Sequence, residues 1–220
     1  MKSVLFKHRS IRKYRSAPIP GDVLRDVLEA ATRASTCGNM QLYSLIVTQD
    51  RALREALSPC HFNQPMVVEA PCLVTVCADV HRFTMWCEQR DADPAYDNFA
   101  WFLNAATDAL LAAQNLAVEA EMHGLGICYL GTTLYTAERI AKILELPKGV
   151  VPLTTIVMGY PDESPELTDR LCGLTFTLSP QAFYQVNPVQ AERLYERAVE
   201  YAVHAPTDQV LDLYLSLIHI

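Results

Sequence analysis

The apolar positions of the chain fall into helical spacings and short continuous runs. Helical spacing predicts a helix that Pro20-Gly21 begins, and further helices over residues 49–57, 99–122 and 136–144, the last capped by Thr136. Continuous apolar runs between Pro, Gly or Asp predict strands over residues 43–48, 72–77, 127–130 and 151–158. Helices that alternate with a few hydrophobic strands are typical of a layered α+β or α/β domain.

The pattern changes near Leu171. A strand is predicted over residues 174–178, a helix over 188–201 and a short strand over 210–213. The C-terminal part is therefore predicted as a small strand–helix–strand tail.

Charge is segregated at the N-terminus. The first fifteen residues hold six cations and no acid, whereas the whole chain has a formal net charge of -7. Such segregation favours a specific anion over a general attraction to nucleic acid, and arginine offers donors that suit phosphate. A helical turn would place Arg9 and Arg12 on one face. Two interpretations stay open: a phosphate clamp for a cofactor, or a solvated basic face.

Composition restricts the class of protein. The 220 residues are 50% hydrophobic, enough for one medium domain with or without an appendage. Seven cysteines, with no CxxC pair, disfavour a disulfide framework and a zinc site, and they indicate small buried thiols in a reducing cytoplasm. No apolar signal core follows the first charges, and polar residues interrupt the segment 99–122. We therefore expect a cytoplasmic protein without a membrane span.

Four motifs occur in a specific order: HRSIRKY at the start, the STCGNMQ loop, GLGICYLGT after the long helix, and MGYP before DRL. Together they make residues 1 to about 170 resemble the FMN-dependent nitroreductase family, in particular its oxygen-insensitive nitroreductases and flavin reductases. The resemblance implies an α+β, three-layer fold with a central mixed sheet flanked by helices. It also implies a homodimer with FMN at the interface.

The resemblance assigns cofactor-binding positions residue by residue. It implies contacts with the FMN phosphate and ribityl chain, with the flavin ring from a loop at the dimer interface, with the ring and phosphate beside a strand end, and with the phosphate again near the end of the domain. The corresponding residues are His8, Arg9, Ser10 and Arg12; Asn39 and Gln41; Tyr129, Gly131 and Thr132; and Arg170. Gln64 corresponds to a side chain that hydrogen-bonds to the flavin ring. Thr168 stands where the family commonly has Lys.

Each of these positions also has an ordinary structural interpretation. Asn39 suits a turn, Gly131 can end a strand, Tyr129 can be core and Arg170 can be a surface cation. Gln64 can equally be a side chain without a role in the site.

The chemistry that the resemblance implies belongs mostly to the cofactor. NADH or NADPH would transfer hydride to FMN and leave, and a nitroaromatic, quinone or similar small-molecule acceptor would then take its place. Such a reaction needs phosphate anchoring and an open ring face, so we assign no catalytic side chain and no metal ligand.

The tail resembles other sequences. Residues 172–214, with CGLTFTLSPQAFYQVNPVQ, resemble part of the RNA uracil-5-methyltransferases but lack their cofactor loop and catalytic cysteine region. Residues 215–220, LSLIHI, resemble a translated cloning or sequencing scar. We therefore expect a nitroreductase-like FMN-binding domain over residues 1–171, C-terminally truncated and less stable than its family. A partial methyltransferase-like fragment and an artefactual tail would follow it.

Two alternatives to the oxidoreductase remain. The tail could give the identity, an RNA uracil-5-methyltransferase fragment without activity, although the negative net charge opposes binding of nucleic acid. The chain could also bind flavin without turnover, since Thr168 departs from the family pattern.

Overall fold

A computed structural model of the chain describes residues 3–94, 98–163, 167–171 and 174–178, together with positions 193, 194, 196, 197, 200 and 201. The chain divides into two compact units, Met1–Glu163 and Ser164–Ile220. In chain order the first unit contains α1 (Gly21–Thr32), β1 (Tyr43–Thr48), α2 (Arg51–Leu57), α3 (Met66–Glu69), β2 (Cys72–Asp79), α4 (His81–Glu88), α5 (Phe99–Met122), β3 (Gly126–Leu130), α6 (Ala137–Ile143) and β4 (Val150–Gly159).

The strands of the first unit form a four-stranded sheet in the order β1-β2-β4-β3. The α+β class and the helix-flanked sheet predicted from the sequence are confirmed. All three ladders between these strands are antiparallel, so the described strands do not form the mixed sheet that we expected. The parallel contribution is one isolated bridge between Ser10 and Ile127.

Helices cover both faces of this sheet. Alternate residues of β2, from Cys72 to Ala78, join a buried cluster with the inner sides of α1 and α5. Leu73, between them in sequence, joins a second cluster with residues of α2, α3 and α6. Because successive side chains of a strand point to opposite faces, this alternation produces three layers with the sheet in the middle.

The N-terminal segment lies against the β3 edge of the sheet. The Ile11 amide donates to the Ile127 carbonyl at 2.9 Å, and the Arg15 amide donates to the Tyr160 carbonyl at 2.9 Å. A Cβ at Gly126 would lie 2.5 Å from Ile11, so glycine permits this close approach. The segment is not helical beyond Lys7, so no helical turn places Arg9 and Arg12 on one face. Backbone pairing with β3 and Tyr160 holds the segment extended.

Hydrophobic spacing predicted α2, α5, α6 and the four strands to within two residues at each end, and it missed several short helices and turns. The long helix α5 spans the predicted residues, and β1 has the predicted bounds. Thr136 precedes α6 without capping it, since its hydroxyl donates to the Cys60 carbonyl at 2.8 Å. The sequence did not predict α4, α3 or the 3-10 turns, including Cys37–Asn39, Ser58–His61 and Gly131–Thr136.

The second unit contains an antiparallel pair of strands, β5 (Leu167–Leu171) and β6 (Leu174–Leu178). The predicted strand over residues 174–178 is confirmed, and the domain boundary expected after residue 171 lies between the two paired strands. Where positions of the predicted helix 188–201 are described, they are helical. The predicted strand 210–213 and residues 215–220 lie outside the described residues.

Two further expectations concern membranes and cysteines. Among the described helices, none is long and apolar enough to cross a membrane. The six described cysteines are free, and five of them are buried.

Candidate functional site

The basic N-terminal segment brings its polar side chains to one end of β3. Ser10 is bridged to Ile127, next to Cys128, and the pKa of the Cys128 thiol is raised chiefly by burial, with Arg12 acting in the opposite direction. Arg9 is half-buried and Arg12 is exposed. Cations and a hydroxyl therefore gather where β3 meets the N-terminal segment, as the phosphate-clamp interpretation requires.

An acid shares this position. The backbone N–H of Arg12 donates to Glu163 Oε1 at 2.9 Å. Glu163 also contributes to raising the pKa values of Tyr14 and Cys128, in both cases after burial, so its carboxylate lies among the same groups. Any anion that binds the Arg12 amide must displace this carboxylate.

His8 extends the group along α5. Its Nδ1 lies 2.7 Å from Glu121 Oε1, and the Glu121 side chain is only 9% exposed. The second oxygen of Glu121 is buried and has no hydrogen-bond partner. Burial, with a smaller contribution from Glu121, raises the pKa of Tyr129 to about 12. His8, Glu121 and Tyr129 are thus neighbours, and Tyr129 stays a neutral phenol.

Two turns meet at the end of β3. His61 Nδ1 lies 2.9 Å from Thr132 Oγ1, which links the turn 58–61 to the turn 131–136. The backbone N–H of Gln64 donates to the His61 carbonyl at 3.2 Å, so Gln64 belongs to the same corner. A Cβ at Gly131 would meet no atom within 4 Å, so space is open beside this backbone.

His61 is the least expected residue of this corner. The side chain is fully buried, and its Nε2 has no hydrogen-bond partner. Burial lowers the pKa of His61 to about 4, so the imidazole is neutral at physiological pH. We call His8, Arg9, Ser10, Arg12, Tyr129 and the Gln64–His61–Thr132 corner the β3 group.

Asn39 and Gln41 lie in a separate loop before β1, which we call the β1 loop (residues 37–42). Both have left-handed backbone, with φ of 56° and 54°. The buried Asp108 on α5 accepts from the Cys37 amide at 2.8 Å and from the Leu42 amide at 3.2 Å. The Gln41 carbonyl accepts from Arg82 Nη2 at 2.5 Å. Asn39 and Gln41 are exposed and line a groove of about 470 Å³ with Arg82, Phe83 and Trp86.

The β1 loop and the β3 group lie at opposite edges of the sheet. The register of the three ladders places Tyr129 on β3 directly across the sheet from Val47 on β1. Val47 is four residues along β1 from Tyr43. Strand spacings place Tyr129 and Tyr43 roughly 20 Å apart. The helix α5 gives the same separation, because Asp108 and Glu121 are thirteen residues apart on it, about 20 Å. The predicted site residues of one chain therefore form two separate groups.

Arg170 lies on β5 in the second unit, where it is paired in register with Thr175. Its side chain lies outside the described residues. The role assigned to it stays a prediction.

Three residues that shape these groups were missed from the sequence. Asp108 had a signal, since a single acid falls among the buried alanines of α5. Glu121 and His61 had none, because their partners His8 and Thr132 are distant in sequence.

Comparisons with known proteins agree on one family. The model of the nitroreductase family matches residues 5–160. An NADPH-dependent oxidoreductase of Staphylococcus aureus (strain USA300) is 36% identical over 169 residues, which are 75% of this chain and 67% of that protein.

Solved structures agree. A candidate oxidoreductase from Bacteroides fragilis NCTC 9343 is 47% identical, with a TM-score of 0.73 over 90% of this chain and 81% of that one. The NADPH:FMN oxidoreductase of Vibrio harveyi, in complex with NAD⁺, is 26% identical, with a TM-score of 0.70 over 90% of this chain and 84% of that one. By sequence and by fold, this chain belongs to the nitroreductase family.

Proposed function

We propose that the chain is an FMN-dependent NAD(P)H oxidoreductase that passes hydride from a nicotinamide through FMN to a nitroaromatic, quinone or similar acceptor. Its family and its NADPH-dependent relative support the oxidoreductase class and the reductant. The observation that carries the cofactor is the pairing of the N-terminal segment with β3, which places Ser10 and Arg12 beside the strand that leads into the open space at Gly131.

The residues of the β3 group fit FMN. Arg9, Ser10 and Arg12 offer guanidinium and hydroxyl donors for a phosphate. The open space at Gly131 leaves room for a planar ring beside the backbone. In the part of the chain that the structure describes, four buried side-chain atoms have no hydrogen-bond partner. Two of them, His61 Nε2 and Glu121 Oε2, belong to residues bonded to the candidates Thr132 and His8. Unsatisfied buried polar groups of this kind are expected beside a ligand site.

The chain's own part in such a reaction is binding and orientation. When bound, FMN supplies the hydride chemistry. Arg9, Ser10 and Arg12 would hold the phosphate, while Tyr129, Thr132 and Gln64 would line the ring. The Tyr129 phenol, with its raised pKa, can donate but carries no charge near neutral pH.

We further propose that the active form is a homodimer. The roughly 20 Å between the β1 loop and the β3 group supports a site in which Asn39 and Gln41 of one protomer contact the FMN that its partner binds. The outer side of α5 supports the same arrangement, since Leu103, Leu110, Leu111 and Met122 are exposed on it. An apolar stripe of this kind marks a surface for association.

Flavin binding and reduction test this proposal. We expect the chain to retain FMN after desalting, and NADPH added without oxygen to bleach the flavin absorption. Arg12→Glu should abolish retention because it places an acid beside the phosphate, whereas Arg25→Glu, the same charge change on exposed α1, should retain it. Equal retention by both variants would contradict the phosphate assignment. Retained flavin that neither NADPH nor NADH bleaches would instead favour a flavin-binding protein without turnover.

The compartment follows from the thiols. Five buried cysteines without disulfides support a reducing environment, which is the cytoplasm that we propose.

A further inference from the structure

Two aromatic side chains stand beside the β3 group without being part of it. Phe62 lies between His61 and Gln64, and Tyr135 follows Thr132 by three residues. The hydrogen bonds His61–Thr132, at 2.9 Å, and Thr136–Cys60, at 2.8 Å, fasten the two turns that carry these rings. The rings of Phe62 and Tyr135, which we call the aromatic pair, are therefore held at the corner that presents Gln64 and Thr132.

The aromatic pair leaves most of its surface free. The ring centroids are 6.4 Å apart with an interplanar angle of 28°. This separation lies near the upper end of the usual range for contacting rings, about 4.5–7 Å. The Phe62 side chain is 63% exposed and the Tyr135 side chain is 81% exposed. Both rings can accept a third aromatic ring without rearranging the core.

The backbone holds Phe62 outward in an unusual conformation. Phe62 and Asn63 have φ of 56° and 54°, in the left-handed region that large side chains rarely adopt. The Phe62 amide donates to the Ser58 carbonyl and so closes the turn in this form. Strained residues of this kind persist where the surrounding structure determines them, and they cluster at ligand sites.

The dimensions of the surface favour a small planar ligand. A groove of about 470 Å³ opens on the Tyr135 side of the pair; Leu134, Thr136, Ala137, Glu138, Arg139 and Lys142 line it with Tyr135, whereas Phe62 lies outside it. That volume lies within the range typical of small-molecule sites. A stable protein interface buries about 800 Å² on each partner, far more than two rings and Leu134 provide.

We infer that the aromatic pair binds the planar ring of the electron acceptor, and that it makes aromatic acceptors such as quinones preferred substrates. The inference rests on the proposed function, because it places the acceptor beside the residues proposed to line FMN. Phe62 and Tyr135 are in this account residues that determine specificity.

Equilibrium binding and turnover test the inference separately. The FMN-loaded protein is titrated with menadione, a planar quinone, in the absence of any nicotinamide, so that no reaction occurs. Phe62→Ala and Tyr135→Ala should each raise the menadione Kd about 3- to 10-fold, the loss expected for one aromatic contact. Tyr135→Phe, which keeps the ring, should bind as the unaltered protein does. Tyr201→Ala, which removes an exposed tyrosine of the second unit, should also bind unchanged.

Steady-state kinetics give the second readout. With menadione as acceptor, KM should rise in Phe62→Ala and Tyr135→Ala by the same factor as Kd. With ferricyanide, a non-aromatic acceptor, and with NADPH, KM should not change. Unchanged menadione Kd and KM in both variants, with ferricyanide turnover intact, would overturn the inference and leave the proposed function standing. Failure of NADPH to reduce ferricyanide through the unaltered protein would instead overturn the proposed function.

Discussion

At the scale of single residues, the position of Glu163 has a direct consequence for an anion at the N-terminal segment. Its carboxylate accepts from the Arg12 amide at 2.9 Å, where we propose that the FMN phosphate is held. Glu163→Gln removes one negative charge and keeps a carbonyl that can accept from the amide. We expect FMN to bind about 3- to 10-fold more tightly, since a nearby like charge at a partly exposed site contributes about 1 kcal/mol.

Quenching of flavin fluorescence on binding measures this change. Asp162→Asn is the matched control, because Asp162 is the adjacent exposed acid and lies 4.0 Å from Arg15. Weaker binding by Glu163→Gln, or equal tightening in the two variants, would be incompatible with Glu163 as a competitor of the phosphate.

The buried imidazole of His61 makes stability depend on pH. Its pKa is lowered by burial to about 4, whereas the unfolded chain titrates near 6.5, so between these values the unfolded state binds more protons. Stability from this group is therefore present above pH 6.5 and is lost as the pH falls towards 4. At pH 5 the expected loss is about 2 kcal/mol relative to pH 8.

Urea unfolding at pH 8 and pH 5 tests this expectation in the His61→Asn variant. Asparagine can still bond to Thr132 but does not titrate, so the difference in unfolding free energy between the two pH values should shrink by about 2 kcal/mol. His123→Asn, on a half-buried histidine at the end of α5, serves as the comparison. An unaltered pH difference in His61→Asn would show that His61 is not buried as a neutral group.

Single residues were predictable from the sequence where a local motif contains them. Ser10 and Arg12 stand in HRSIRKY, and Asn39 and Gln41 stand in STCGNMQ. Glu121 and His61 stand in no such motif, because their roles arise only when the chain brings them to His8 and Thr132. Tertiary contacts of this kind leave no periodic signal in the sequence.

At the scale of elements, α5 fastens the loop before β1 through one buried carboxylate. Asp108 accepts two backbone N–H groups, from Cys37 and Leu42, and the Leu42 residue is itself buried. Asp108→Ala leaves both donors unpaired, which should lower the free energy of unfolding by about 3 kcal/mol. It should also weaken FMN binding, because Asn39 and Gln41 lose their fixed backbone.

Urea melts and FMN titrations measure the two effects. Thr107→Ala, at an exposed position of the same helix, should leave both unchanged within about 0.5 kcal/mol. Loss of stability without any change in FMN affinity would contradict the role of the β1 loop in the site.

The elements that could be predicted are those with long periodic patterns. The helix α5 has alanines and leucines over 24 residues, and the residues of β2 that face α1 and α5 are all apolar. The turn Gly131–Thr136 and the helix α4 are short and carry mixed polarity, so their sequence favours no single structure. These short elements contain much of the candidate site. The geometry of the site could therefore be described only from the folded structure and not from the sequence.

At the scale of the whole molecule, the separation of two groups of residues is the basis for proposing one site built from two chains. Arg12 belongs to the β3 group, whereas Asn39 and Gln41 belong to the β1 loop roughly 20 Å away. Arg12→Glu and the pair Asn39→Asp with Gln41→Glu should each weaken FMN binding as homodimers. In a mixed dimer, one of the two sites receives both unaltered groups, so FMN binding should reappear at about one site per mixed dimer.

Mixing the two variants under conditions of subunit exchange measures this recovery. The reference is each variant incubated alone, which should show none. Absence of recovery, in mixtures shown by mass spectrometry to contain the mixed dimer, would mean that each site is built within one chain.

The assignment of residues 172–214 and 215–220 stays a prediction from the sequence. The antiparallel pair of β5 and β6 extends across the boundary expected after residue 171. The first unit contains every candidate residue whose side chain is described, and the proposed function depends only on this unit.

The visible absorption spectrum of the purified chain, after incubation with FMN and desalting and then after NADPH without oxygen, is the first test of FMN dependence. We expect a retained flavin band near one FMN per chain and its loss on addition of NADPH. A protein that emerges from desalting colourless, although folded and dimeric, would contradict the claim that this member of the nitroreductase family is an FMN-dependent oxidoreductase.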